Sequence, residues 1–142
     1  MRNLNAKALA LLLSLIAVPA LAAETAVVYR PSTCSCCEAW IAYLKSKGFD
    51  TTVIATDDIA AVKDKMHVPA DMQSCHTAVI GGYVAEGHVP AEAIAKLLAE
   101  KPNVVGIAAP GMPDGSPGMP GPKAPFTVMA FGPAGETAFM RF

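Results

Sequence analysis

The apolar and polar positions of this chain change period several times, and each change marks an element. Ala26-Val27-Val28-Tyr29 is a short apolar run of the kind that forms a buried strand. From about residue 36 to 47 the apolar positions Cys37, Trp40, Ile41 and Leu44 recur at helical spacing, and Gly48 supplies the stop. Residues 51–55 predict a second strand. Asp57 or Asp58 then caps a helix with Ile59, Val62 and Met66 on its inner face, ending before Pro69. Thr77–Ile80 and Tyr83–Glu86 read as two strands joined by the turn Gly81-Gly82. Pro90 opens a third helix that turns Ile94, Leu97 and Leu98 inward, and Pro102 ends it. Residues 109–125 are rich in Pro and Gly and too poor in apolar side chains to form a core. Residues 126–131 and 136–142, around Gly132-Pro133-Ala134-Gly135, predict a terminal hairpin.

The order strand, helix, strand, helix, hairpin, helix predicts an α/β chain with a thioredoxin-like core. Its first two strands run parallel through a right-handed crossover. A Pro/Gly/Met-rich loop and a C-terminal β-hairpin follow, and no internal repeat is present.

The N-terminal residues bear on the compartment. Arg2 and Lys7 precede an apolar run over residues 8–18, and Pro19 and Ala20-Leu21-Ala22 follow it as a small-residue cleavage signature. Residues 1–22 therefore read as a secretory signal peptide, and residues 23–142 as one domain with no membrane span after cleavage. The apolar run is shorter than the roughly 20 residues that cross a bilayer. Eleven basic and twelve acidic side chains give a net charge of −1, and loss of Arg2 and Lys7 makes the mature chain more acidic still. Nucleic acid is excluded as a partner on that ground. An exported chain meets oxidising conditions, so its cysteines end as disulfides, as metal thiolates or as a pair cycling between states.

Four cysteines carry the candidate chemistry: Cys34, Cys36 and Cys37 together, and Cys75 beside His76. Cys34 and Cys37 have the C-x-x-C spacing of thiol redox sites, where a strand feeds a helix. Ser35 and Glu38 read as a capping box that places Cys36 and Cys37 in the first helical turn, where the helix dipole lowers thiol pKa values. Such thiolates attack disulfides and also bind soft metals. A third cysteine at position 36 hinders a simple dithiol enzyme and adds a ligand to a polythiolate site. Ser74-Cys75-His76-Thr77 begins the third strand, which in this fold lies against the first helix. A sulfur and an imidazole thus face the cysteine loop, although a structural disulfide from Cys75 to that loop is an alternative. His88 leaves the fourth strand at the same edge and is a second candidate ligand beside His76, whereas His67 reads as a solvated helix end. Met66 and Met129 fit core patterns. Met112 and Met119 lie in the Pro/Gly loop, and their thioethers suit Cu(I) better than Zn(II).

The combination C-S-C-C-E-x-W, S-C-H-T, G-Y-V-x-E-G-H-V-P and G-M-P-x-G-S-P-G-M resembles the CopG-like periplasmic copper-resistance proteins, long filed among domains of unknown function. The likeness runs from about residue 29 to 142. It implies a thioredoxin-like domain that binds copper near its cysteines and handles copper, including its redox chemistry, in the Gram-negative periplasm. It nominates Cys34, Cys36, Cys37 and Cys75 as the sulfur set, with His88, Met112 and Met119 beside it. Copper ions and other periplasmic copper-handling proteins are the implied partners. The expected function is capture of Cu(I) and interconversion of copper oxidation states. One alternative is a metal-free thiol–disulfide oxidoreductase with Cys34 and Cys37 catalytic, and another is a zinc- or disulfide-stapled interaction module.

Overall fold

The computed structural model describes residues 23–142, and the predicted signal peptide lies outside the described residues. Strand β1 (Thr25–Arg30) leads to helix α1 (Ser35–Ser46), strand β2 (Asp50–Ala55), helix α2 (Ile59–Lys65) and a 3₁₀ turn (Ala70–Met72). The hairpin of β3 (Thr77–Ile80) and β4 (Tyr83–Glu86) and helix α3 (Ala91–Glu100) follow. Strands β5 (Gly106–Ala108), β6 (Thr127–Gly132) and β7 (Gly135–Arg141) complete the chain. This is a mixed α/β architecture in which the periodicity correctly orders the first seven elements. The strand it does not predict is β5, whose three residues are too few to show alternation.

All seven strands form one sheet in the order β2-β1-β3-β4-β5-β6-β7. β1 runs parallel to β2 and antiparallel to β3. β5 is parallel to β4 and antiparallel to β6, so this short strand ties the terminal hairpin into the main sheet. Alternation along the strands separates two cores. Ala85, Ile107 and Ala130 pack with Trp40, Ile41 and Leu44 of α1 and with Ile94 and Leu97 of α3. Val84, Ala108 and Phe131 point the other way, toward Val68, Met72 and the half-buried Met66 and Met129.

One helix expectation needs correction. In α2, Ile59, Val62 and Met66 are only half-buried, and the deepest side chain is Lys63 at 3% exposure. A buried ammonium needs buried partners, and it has them at the end of β4, as described below. Helix α3 ends as expected, with Lys101 in a left-handed conformation (φ 48°) directly before Pro102, and Leu98 packs half-buried against the core. Among the described residues no helix is long and apolar enough to cross a membrane.

Strand register brings the candidate ligands together. Tyr29 near the end of β1 pairs with Thr77 at the start of β3, and Thr77 pairs with Glu86 at the end of β4. The loop after β1, the segment before β3 and the segment after β4 therefore leave the sheet at one end. They carry Cys34-Ser35-Cys36-Cys37, Cys75-His76 and His88 respectively.

Candidate metal centre

Helix α1 begins differently from the expected capping box. Cys34 is the N-cap in an extended conformation, and its sulfur accepts from the Cys37 N–H at 3.3 Å. Ser35 is the first helical residue and is exposed, while Glu38 pairs outward with Arg30 at 3.0 Å instead of reaching back to the cap. A disulfide joins Cys34 and Cys37, which accounts for the substitution: the bridge fixes Cys34 over the first turn, where its sulfur occupies the capping position. Cys36 and Cys75 are free and half-buried.

The sulfurs form a chain. Cys36 Sγ lies 3.5 Å from Cys34 Sγ and 3.6 Å from Cys75 Sγ, and one ligand atom from each of the four cysteines falls within 4.8 Å of the others. Cys37 Sγ is 3.8 Å from the Cys75 carbonyl. That is a van der Waals contact, because a disulfide sulfur has no hydrogen to donate. Cys75 also joins a second group. Its Sγ is 3.3 Å from His76 Nδ1 and 3.2 Å from His88 Nε2, and these three residues again place a ligand atom within 4.8 Å of one another. The alternative of a bridge from Cys75 to the cysteine loop is therefore not realised, and Cys75 stands between a sulfur set and an imidazole pair.

Each imidazole is fixed from behind. His88 Nδ1 lies 2.8 Å from the Pro117 carbonyl. A carbonyl only accepts, so Nδ1 carries the hydrogen and the lone pair of Nε2 faces Cys75. His76 is fully buried, with its ring 4.4 Å from the Trp40 ring and edge-on to His88 at 5.1 Å. Its Nε2 is buried without a hydrogen-bond partner among the described residues. Trp40, fully buried itself, donates from Nε1 to the Val89 carbonyl at 2.9 Å and so ties α1 to the segment carrying His88.

Burial sets the proton states. It pushes the His76 pKa down to about 3, helped by the neighbouring His88 and Lys63 charges, and burial also lowers that of His88. Burial raises the Cys75 thiol to about 11, with Cys36 adding to the rise. Cys75, His76 and His88 are therefore neutral at pH 7 in the absence of metal, and a metal held by Cys75 releases a proton as it binds. The unfolded chain takes up a proton at a histidine with an ordinary pKa near 6.5, whereas folded His76 resists protonation down to about 3. Stability therefore falls as the pH drops between these values, at up to about 1.4 kcal/mol per pH unit for this residue. Urea unfolding from pH 7 to 4 measures the slope. His76→Leu reduces it, and an unchanged slope would place the acid sensitivity elsewhere.

The Pro/Gly loop packs against the site. Ser116 is buried, and Gly118 lies so close to α1 that a Cβ there would stand 2.7 Å from the Trp40 nitrogen and 2.9 Å from the Cys36 carbonyl. With φ at +85°, this position demands glycine twice over. Met119, half-buried, follows directly, whereas Met112 is 44% exposed in a left-handed conformation (φ 46°). Pro117 and Gly118 lie inside the G-M-P-x-G-S-P-G-M motif, but neither carries a functional side chain that would mark it as a support of the site. His67 is exposed, as predicted. A groove of about 570 Å³ is lined by Pro117, Tyr43, Lys47 and Lys123 among others, with no cysteine or histidine.

The sulfur and imidazole donors suit a soft or borderline metal, and His76 Nδ1 and the oriented lone pair of His88 Nε2 both face Cys75. No curated protein sequence matches the chain. A family model described as protein of unknown function, DUF411, matches residues 72–119, which include Cys75, His76, His88 and both loop methionines. Two solved structures are similar, titled copper resistance protein CopG, Form 2 and Form 1. Each is 40% identical and overlaps 85% of this chain and 99% or 98% of its own, with TM-scores of 0.80 and 0.79. At that identity over nearly the whole of both neighbours, the chain belongs to the CopG family of copper resistance proteins.

Proposed function

We propose that this chain is an exported copper-binding protein of the periplasm that takes up Cu(I) through its cysteine cluster. The observation that carries the reading is the set of four sulfurs within 4.8 Å of one another. Polythiolate sites of this kind favour Cu(I) over harder cations, and the copper-resistance titles of the neighbouring structures agree. The strand order β2-β1-β3-β4 with α1 leaving β1 supports reading the first part of the sheet as a thioredoxin-like core.

Cys36 and Cys75 are available as ligands in the oxidised form, and Cys34 and Cys37 join them once their disulfide is reduced. His88 offers Nε2 and His76 offers Nδ1 to the same region. Met119 directly follows Gly118, which closely approaches α1, and we read it with Met112 as the loop thioethers that serve the cluster. Copper would supply one-electron chemistry, whereas the Cys34–Cys37 couple exchanges two electrons and two protons. A full thiol–disulfide cycle therefore matches two Cu(II)/Cu(I) changes. On this reading the chain is a copper-dependent oxidoreductase that exchanges copper with other copper-handling proteins of the envelope.

The existing Cys34–Cys37 disulfide favours a second reading, a metal-free thiol–disulfide oxidoreductase. Competition decides between them. Fully reduced protein is expected to retain Cu(I) against a chromogenic chelator in the presence of excess Zn(II), with loss of free thiol titre. Preferential zinc retention, or no metal retention with full disulfide exchange, would overturn the copper reading.

A further inference from the structure

The most heavily buried charges in the described chain are not ligands and lie immediately beneath the centre. Lys63 Nζ lies 2.5 Å from Glu86 Oε1, at 4% and 0% side-chain exposure, and donates to Thr77 Oγ1 at 2.9 Å. Thr77 Oγ1 donates to Glu86 Oε2 at 2.6 Å, and the Ser74 N–H donates to Glu86 Oε1 at 2.7 Å. Every member has a partner, so the charges are compensated. A buried pair of this kind is nonetheless weak evidence of a gain in stability, since its desolvation offsets its attraction.

Its position suggests a different role. Thr77↔Glu86 is the last register pair of β3 and β4, and the ligands lie beyond it, on Cys75-His76 before β3 and on His88 after β4. Past that pair only the Gly87 N–H to His76 carbonyl bond (3.1 Å) continues the ladder. Glu86 spans the open end: its backbone belongs to the His88 limb and its carboxylate holds Ser74 on the Cys75 limb. Gly87 allows the approach, because a Cβ there would lie 2.7 Å from both Ser74 Cβ and Oγ. Lys63, from α2, holds the carboxylate from the third side.

We infer that Lys63, Glu86 and Thr77 are positioning residues that clamp the two ligand-bearing limbs together and set the distance between Cys75 Sγ and His88 Nε2. The inference builds on reading these two atoms as parts of one centre. It does not require that the metal be copper.

The test replaces the charged pair in two ways. Lys63→Met with Glu86→Gln removes both charges and keeps an amide oxygen to accept from Ser74 and an amide N–H to donate toward Thr77. Lys63→Met with Glu86→Leu removes the charges and the clamp together. Alkylation of Cys75 in metal-free, disulfide-intact protein, followed peptide by peptide by mass spectrometry, reads the clamp directly. The Gln pair is expected to match wild type, and the Leu pair to react severalfold faster with its melting temperature essentially kept. Metal affinity, measured with Cu(I), falls about tenfold in the Leu pair, the scale typical of losing a partner that orients a ligand. Should the Leu pair not fold, Thr77→Val takes its place, with faster Cys75 alkylation again expected. Equal alkylation rates in wild type and the clamp-less variant overturn the inference, whatever the metal result. Failure of wild type itself to bind Cu(I) overturns the copper reading alone.

Discussion

Cys75→Ser is expected to weaken Cu(I) binding by more than the roughly 10–100-fold that follows loss of a supporting partner. Cys75 is the one residue common to both donor groups, 3.6 Å from Cys36 Sγ and within 3.3 Å of an imidazole nitrogen on either side. A hydroxyl in its place is hard, poorly basic and shorter, so it serves neither group. The same substitution leaves the Cys34–Cys37 disulfide untouched, because neither its attacking nor its leaving sulfur is removed. Chelator competition and insulin-type disulfide reduction on one preparation therefore separate the two functional readings. Copper loss with retained exchange supports the copper protein. Full copper retention in the serine variant would remove Cys75 from the centre and refute the site as drawn.

Trp40→Ala is expected to cost about 3–5 kcal/mol of stability, the range for deleting a fully buried aromatic side chain. That is a large part of the roughly 5–15 kcal/mol available to a domain. The indole fills the core between α1 and the sheet, packs tilted against His76, and satisfies the Val89 carbonyl. Trp40→Phe keeps most of the apolar volume and strands that carbonyl, for a smaller loss of about 1–3 kcal/mol. Urea denaturation at constant m-value should thus order the proteins wild type, Phe, Ala. An Ala variant within about 1 kcal/mol of wild type would contradict the packing described, being far below the range for a buried aromatic.

The sequence reveals the site's ligands more readily than their supports. Cysteines are rare here and chemically distinctive, so their spacing singles them out. The periodicity around them orders the elements that bring Cys75 and His88 to the cysteine loop. What it cannot show is whatever lacks a distinctive side chain or a period. Strand β5 is three residues long and the Pro117 contact is a backbone carbonyl, while the closeness of Gly118 to α1 is a tertiary fact. Lys63 was legible in part, since it shares a helical face with Ile59, Val62 and Met66, and a lysine on such a face invites a search for a buried carboxylate. The capping box misled because Ser35 suits an N-cap by propensity, yet the bridge to Cys37 gives that place to Cys34.

The orientation of His88 rests on a main-chain oxygen, and this bears on how the protein can vary. A side-chain acceptor would be lost to a single codon change, whereas every residue type at position 117 presents the same carbonyl. Substitutions that spare Gly118 can therefore alter the loop's polarity, charge or thioether content while the imidazole keeps its tautomer. The structure separates what must stay constant, one backbone group and one glycine, from what is free to drift. Loop side chains can thus vary without rebuilding the centre.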